Sequence, residues 1–185
     1  FLKKHLHTAS LGLIIFFYLF NGIHYLGSQS ITSDEGSFMH YAIRYLKGKP
    51  ERVYPRTDNS KMPVSVLNTI PRVVTQLLHP GLEKNDWGYG DIRNGRYVTL
   101  ILSVFTILLV FVWGRELYGS GAGLFAAFLM SVCPNNLANA ALFTTDSYSV
   151  LFLLLSMYLL WKFCNSKSNR YFLLFSIAVA LSQLV

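Results

Sequence analysis

Residues 31–39 read ITSDEGSFM, and the adjacent Asp34 and Glu35 in this stretch follow closely on a long apolar run. Acids are scarce, nine Asp and Glu in 185 residues. A pair at a membrane border costs stability unless it has a use. If the preceding run crosses a bilayer, the two carboxylates stand where the crossing opens to water. The same geometry would let a water-soluble acceptor meet a lipid-borne donor. The stretch is therefore read as one wall of an active site.

Composition supports the membrane setting. The chain is 52% hydrophobic and 15% aromatic, with only 14% charged residues, and the apolar residues are gathered into blocks too long for an ordinary soluble core. The net charge of +7 points to topology and anionic headgroups. No pattern of basic residues interleaved with aromatics calls for nucleic acid as a partner. Cys133 and Cys164 form no CxxC and have no His at zinc spacing. The five histidines make no metal constellation.

Working outward from residues 31–39, spans are expected at about 9–26, 97–113, 122–134, 149–163 and 171–185, with an outer loop at about 27–95. Lys3 and Lys4 before the first run resemble a signal peptide, but no small-residue cleavage site follows, so an uncleaved helix is expected. The chain starts at Phe1 and stops at Val185 within an apolar run, which predicts a longer protein whose C-terminal remainder is missing. The fold class is all-α, a polytopic membrane helix bundle.

The loop has structure of its own. Thr32 as N-cap and Glu35 three residues later form a capping box, and Phe38, Ala42, Tyr45 and Leu46 recur at helical spacing until Gly48 and Pro50. A second amphipathic segment carries Val66, Leu67, Ile70, Val73, Val74, Leu77 and Leu78, with Pro71 splitting or kinking it. Both are expected at the membrane surface. Residues 86–95, with three glycines, read as a loop descending into the second span. Lys3, Lys4, Arg115, Lys162, Lys167 and Arg170 fall on one side, whereas residues 135–147 contain no Lys or Arg. Positive-inside then puts the N-terminus in the cytoplasm and the loop on the periplasmic, extracellular or ER-lumenal face.

Four features share that outer side. Asp34 and Glu35 are read either as helix-N-terminal caps or as a general base with a partner that orients an acceptor or holds a cation, Asp34 being the one expected to face the cavity. Arg93 and Arg96 suit a phosphate or pyrophosphate oxyanion or snorkel to headgroups. Lys61, in the turn with Met62 and Pro63, is a phosphate contact or a solvated loop lysine. Asp146 is the only charge between Glu116 and Lys162; it caps the fourth span or acts as a second acid or substrate ligand.

Taken in order, DEGSFMHYAIRYLKGK after a first span, KMPVSVLNTIPRVV, and the Arg96-led span running through WGRELYGSGAG to CPNN and FTTDS resemble the GT-C glycosyltransferases. The chain resembles the N-terminal part of such an enzyme in the superfamily of dolichyl-phosphate-mannose–protein mannosyltransferases and aminoarabinose transferases. Met62 departs from the Lys-Pro-Pro pattern usual there. The resemblance implies a GT-C-like fold and inverting sugar transfer from a polyprenyl-phosphate donor to an acceptor protein, lipid or glycan. It implies Asp34 as catalytic acid/base with Glu35 its partner, Lys61 and Arg96 near the donor phosphate, and Asp146 as the acid after span three. No nucleotide-binding loop is needed or visible, and a divalent cation is optional. The piece alone is expected to be inactive. From other classes, a secondary transporter or channel with acids lining a polar pathway, or a non-catalytic membrane subunit, also accommodates border charges and Pro breaks.

Overall fold

Apolar runs this long leave the backbone no solvent partner in a bilayer, so helices that satisfy their own N–H and C=O groups are the available solution. A computed structural model of the chain describes residues 2–48, 63–79 and 88–185. Every regular element among them is helical: α1 (Leu2–Ser28), α2 (Ser33–Leu46), a 3-10 segment (Pro63–Thr69), α3 (Ile70–Leu78), α4 (Tyr89–Tyr118), α5 (Ser120–Val132), α6 (Pro134–Ala140), α7 (Asp146–Ser166) and α8 (Asn169–Ser182). The protein is a polytopic helical bundle with amphipathic juxtamembrane helices between its first two long helices.

Three helices are long and apolar enough to cross a membrane, within Leu6–Ser28, Gly90–Tyr118 and Asp146–Ser166. The pair α5 and α6 passes the same test only jointly, bent by 62° between Val132 and Pro134. Pro134 cannot donate to the preceding turn, so α5 stops there and α6 restarts with proline in its first turn. Asn136 covers part of this break by donating from Nδ2 to the Met130 carbonyl at 3.2 Å. The apolar α8, 14 residues long, is shorter than a full span.

Two boundaries differ from the sequence expectation. The segment expected as loop through Gly95 is helical from Tyr89, because Asp91 accepts the Gly88 N–H at 3.0 Å and caps the new turn. Gly95 is helical for a packing reason. A Cβ there would collide with the Phe143 ring and come within 2.6 Å of the Asn68 carbonyl, so glycine is what lets the 3-10 segment and the α6–α7 turn close on α4. The expected start of the fourth helix, near Ser149, moves forward to Asp146. The second amphipathic segment is split at Pro71, which sits in the first turn of α3 just after the 3-10 segment ends at Thr69.

Helix direction follows from the contacts. Gly22 meets Leu100, and the last carbonyls of α1 meet Arg96, so α1 and α4 run antiparallel. Ser103 meets Ser147 while Glu116 pairs with Lys162, so α4 and α7 run parallel. Gly123 of α5 lies where a Cβ would be 2.7 Å from the Phe111 carbonyl, the close backbone approach that small residues permit between membrane helices. One end of the bundle therefore gathers the end of α1 and the starts of α4 and α7, with α2, the 3-10 segment and α3 packed there. The other end carries Trp113, Tyr158, Trp161 and the Glu116–Lys162 pair at 3.2 Å, an interfacial aromatic belt. On α3, Ile70, Val74, Leu77 and Leu78 face outward.

Candidate active site

The gathered end is organised by one buried carboxylate. Glu35, at the third position of α2, accepts the Thr32 N–H at 2.9 Å, which closes the helix start. The same carboxylate receives Arg96 of α4 as a two-pronged pair, Nε to Oε1 and Nη2 to Oε2, both at 2.7 Å. It also accepts the Phe143 N–H of the α6–α7 turn at 2.7 Å. Glu35 is 0% exposed and Arg96 1%.

Arg96 has three further acceptors: the Ser30 carbonyl at 2.9 Å from Nη2, and the Gln29 and Leu26 carbonyls at 3.2 and 3.5 Å from Nη1. Its five N–H groups thus all have protein partners. A buried pair is tolerable only when its remaining donors and lone pairs are satisfied in this way. Burial by itself pushes the Glu35 carboxyl up; hydrogen bonds from Arg96, then from the Phe143 and Thr32 N–H groups, outweigh it and hold the group below the ordinary carboxylate range.

Below the pair, Thr99, Ser103 and Thr106 continue the polar face of α4 at intervals of three and four, all buried. Thr99 Oγ1 lies 3.0 Å from the Ala140 carbonyl and 2.8 Å from that of Leu142, and Ser103 meets Ser147 at 3.4 Å. This stripe holds the bent α6 and the start of α7 against α4. Tyr148 donates its hydroxyl hydrogen to Asn68 Oδ1, tying α7 to the 3-10 segment.

The candidate residues divide into two sets. Glu35 and Arg96 meet in the interior. Asp34, Arg93 and Asp146 are exposed. Arg93 and the edge of Arg96 line a 520 Å³ cavity between the end of α1, the Gln29–Ile31 linker and Gly90, with Arg93 Nη2 3.5 Å from the Gly27 carbonyl. A second cavity of 460 Å³, which Ile31 also lines, is bordered by Thr32, Ser33, Gly36, His40 and Gly88. Asp34 stands between Ser33 and Gly36 on the first turn of α2. Asp146 opens α7 and lines a separate 180 Å³ cavity with Ser103, Asn136 and Asn139. Ser103, its neighbour on α4, is about 10 Å further along the helix than Arg96. Lys61 lies outside the described residues. Among the described residues, no three His, Cys, Asp or Glu side chains come together as a metal site.

Sequence reasoning missed the Phe143 N–H and the Asn68–Tyr148 link. A backbone donor has no sequence signal, but the polar Arg96-Thr99-Ser103-Thr106 stripe inside an apolar run was visible as a buried polar face.

A helical membrane bundle with amphipathic surface helices and an acidic pair directly after its first long helix is a GT-C-like architecture. The family model described as dolichyl-phosphate-mannose-protein mannosyltransferase matches residues 89–185, and the chain belongs to this family. It is 35% identical over 110 residues, 52% of its length, to the dolichyl-diphosphooligosaccharide–protein glycosyltransferase subunit STT3B of Arabidopsis thaliana. It is 37% identical over 65 residues, 34% of its length, to the subunit of the same name from Oryza sativa subsp. japonica. These matches span 15% and 9% of the relatives' own lengths. No solved structure matches the chain.

Proposed function

We propose that the chain forms membrane helices and part of the catalytic end of a GT-C glycosyltransferase. The enzyme moves a sugar from a polyprenyl-phosphate donor to an acceptor hydroxyl, with Asp34 as general base. Family membership supports the class. The observation that carries the residue assignment is the Glu35–Arg96–Phe143 bracket, which fixes the first turn of α2 while leaving Asp34 exposed.

On this reading the adjacent acids have different tasks. Asp34 takes the proton from the acceptor O–H as that oxygen attacks C1 of the sugar. The C1–O bond to the lipid phosphate breaks, its electron pair leaves with the phosphate, and attack opposite the leaving group inverts the anomeric centre. Glu35 and Arg96 hold this turn in place, Glu35 as the partner of Asp34 and Arg96 beside the cavity that it lines with Arg93. Arg93 and Lys61 are assigned to the growing charge on the phosphate. Asp146 serves as the second acid on substrate at the start of α7. The Lys and Arg distribution supports a cytoplasmic N-terminus and a catalytic end on the outer face.

The test is donor turnover by the purified protein, expressed from its complete open reading frame and held in nanodiscs. A panel of short polyprenyl-phosphate sugars and one polyprenyl-diphosphate oligosaccharide is supplied with acceptor. Consumption of a phosphate-linked sugar, with an inverted product by NMR, is the expected result. Turnover of the diphosphate donor alone contradicts the donor assignment, and no turnover of any donor by folded protein contradicts the enzyme class.

A further inference from the structure

Asp146 is the one exposed residue in an otherwise buried run, since Phe143, Thr144, Thr145, Ser147 and Tyr148 are all buried. Two ties hold that run, one on each side of the acid. Three residues before it, the Phe143 N–H reaches Glu35 Oε1 at 2.7 Å. Two residues after it, the Tyr148 hydroxyl reaches Asn68 Oδ1. The contacts of Ser147, the next residue in the chain, are longer: its Oγ lies 3.4 Å from both Ser103 Oγ and the Asn139 carbonyl.

Both ties converge on Gly95 of α4. The Phe143 ring and the Asn68 backbone carbonyl each press into the space that a Cβ at residue 95 would need. The backbone there does not call for glycine, because its φ lies outside the left-handed region and glycine inside a helix is less favourable than alanine. The turn accepts a second cost, for Thr144 Oγ1 is buried with no hydrogen-bond partner among the described residues. Two unfavourable choices are thus kept where they fix the surroundings of a single exposed carboxylate. Glu35, which receives the Phe143 N–H, is also the neighbour of Asp34, so one buried group holds the turns that bear both exposed acids.

We propose that Gly95 is a positioning residue for Asp146: by admitting Phe143 and Asn68 against α4, it sets where that acid stands relative to Asp34. The inference rests on the transferase reading above. Alanine at residue 95 pushes the ring and the carbonyl off α4, lengthens the Phe143 tie and turns Asp146 away. Asp34 keeps its place, because Thr32 and Arg96 hold the first turn of α2 independently.

The test is a coupling measurement in nanodiscs, with a short polyprenyl-phosphate sugar as donor and rates expressed per folded protein. In the parent, Asp146→Asn should lower kcat/KM about 10- to 100-fold, the range for one charged hydrogen bond to substrate. In a Gly95→Ala background the same substitution should cost less than about threefold, since an acid already out of place has little left to lose. Asp34→Asn should keep its full effect in that background, which a general loosening of the fold would not allow. Tyr148→Phe releases the run from its other side without a clash and should likewise shrink the Asp146→Asn loss; it carries the comparison if Gly95→Ala does not fold. An Asp146→Asn loss as large in these backgrounds as in the parent overturns the positioning role, and so does an Asp34→Asn effect that shrinks in step. An Asp146→Asn protein as active as the parent overturns it too, while leaving the transferase intact. No donor turnover by the folded parent overturns the transferase reading and this inference with it.

Discussion

Glu35 and Arg96, separated by 61 residues in the chain, meet as a fully buried two-pronged ion pair with both N···O distances at 2.7 Å. The Phe143 N–H completes a junction of α2, α4 and the α6–α7 turn. The pair is placed to hold the catalytic end together, and its removal has consequences of known sign.

Replacing Glu35 with Gln leaves a buried guanidinium without its counter-charge, which typically costs about 3–5 kcal/mol. The variant should unfold well below the parent in a detergent thermal-melt assay. The double variant Glu35→Gln with Arg96→Met should lose less than the sum of the single losses, since it leaves no lone charge. Additive losses would contradict a direct pairing.

The same pair sets an acid limit. Glu35 titrates below its ordinary value of 4.5 in the folded protein. A group whose folded value is lowered contributes stability that is complete above the unfolded value and is lost as pH falls through the folded one. The parent should therefore lose this contribution only below about pH 4.5. Glu35→Gln should be less stable at neutral pH and show a shallower acid dependence, read from melting temperature against pH.

Gly95→Ala should destabilise by about 1–3 kcal/mol, because the added methyl group meets the Phe143 ring and the Asn68 carbonyl rather than a flexible chain end. The opening should extend beyond α4: hydrogen exchange should rise in both the 3-10 segment and the turn before Asp146. Tyr148→Phe tests the second tie. It leaves the buried Asn68 Oδ1 without its donor, at a cost of about 1–3 kcal/mol in melting experiments.

Much of this arrangement was readable from local chemistry. Thr32 and Glu35 announced the start of α2, and Pro71 announced where a helix divides, because capping and a missing N–H act within one turn. The start of α4 was hidden, since Gly88, Gly90 and Gly95 read as loop while the Asp91 cap and the packing on Gly95 decided for helix. The acidic pair was legible as a candidate site, with Asp34 the acid expected to face the cavity, but what holds Glu35 inward was not. That hold depends on Arg96, two helices away, and on a backbone N–H at Phe143 that no residue type signals. Arg93 and Arg96, one helical turn apart, likewise looked alike in sequence; burial separates them into an exposed cation and an engaged one.

The central claim is that Asp34, left exposed by the bracket its neighbour makes, is the base. The direct measurement compares donor turnover by Asp34→Asn and by the parent in nanodiscs, alongside their melting temperatures. Asp34 is exposed and, among the described residues, is met by the Ser33 hydroxyl at 3.5 Å, so its loss should cost at most about 1 kcal/mol of stability through the helix dipole. Turnover should fall about 100- to 10,000-fold, the range for removing a general base. Turnover within a few-fold of the parent in a folded Asp34→Asn protein would contradict the account.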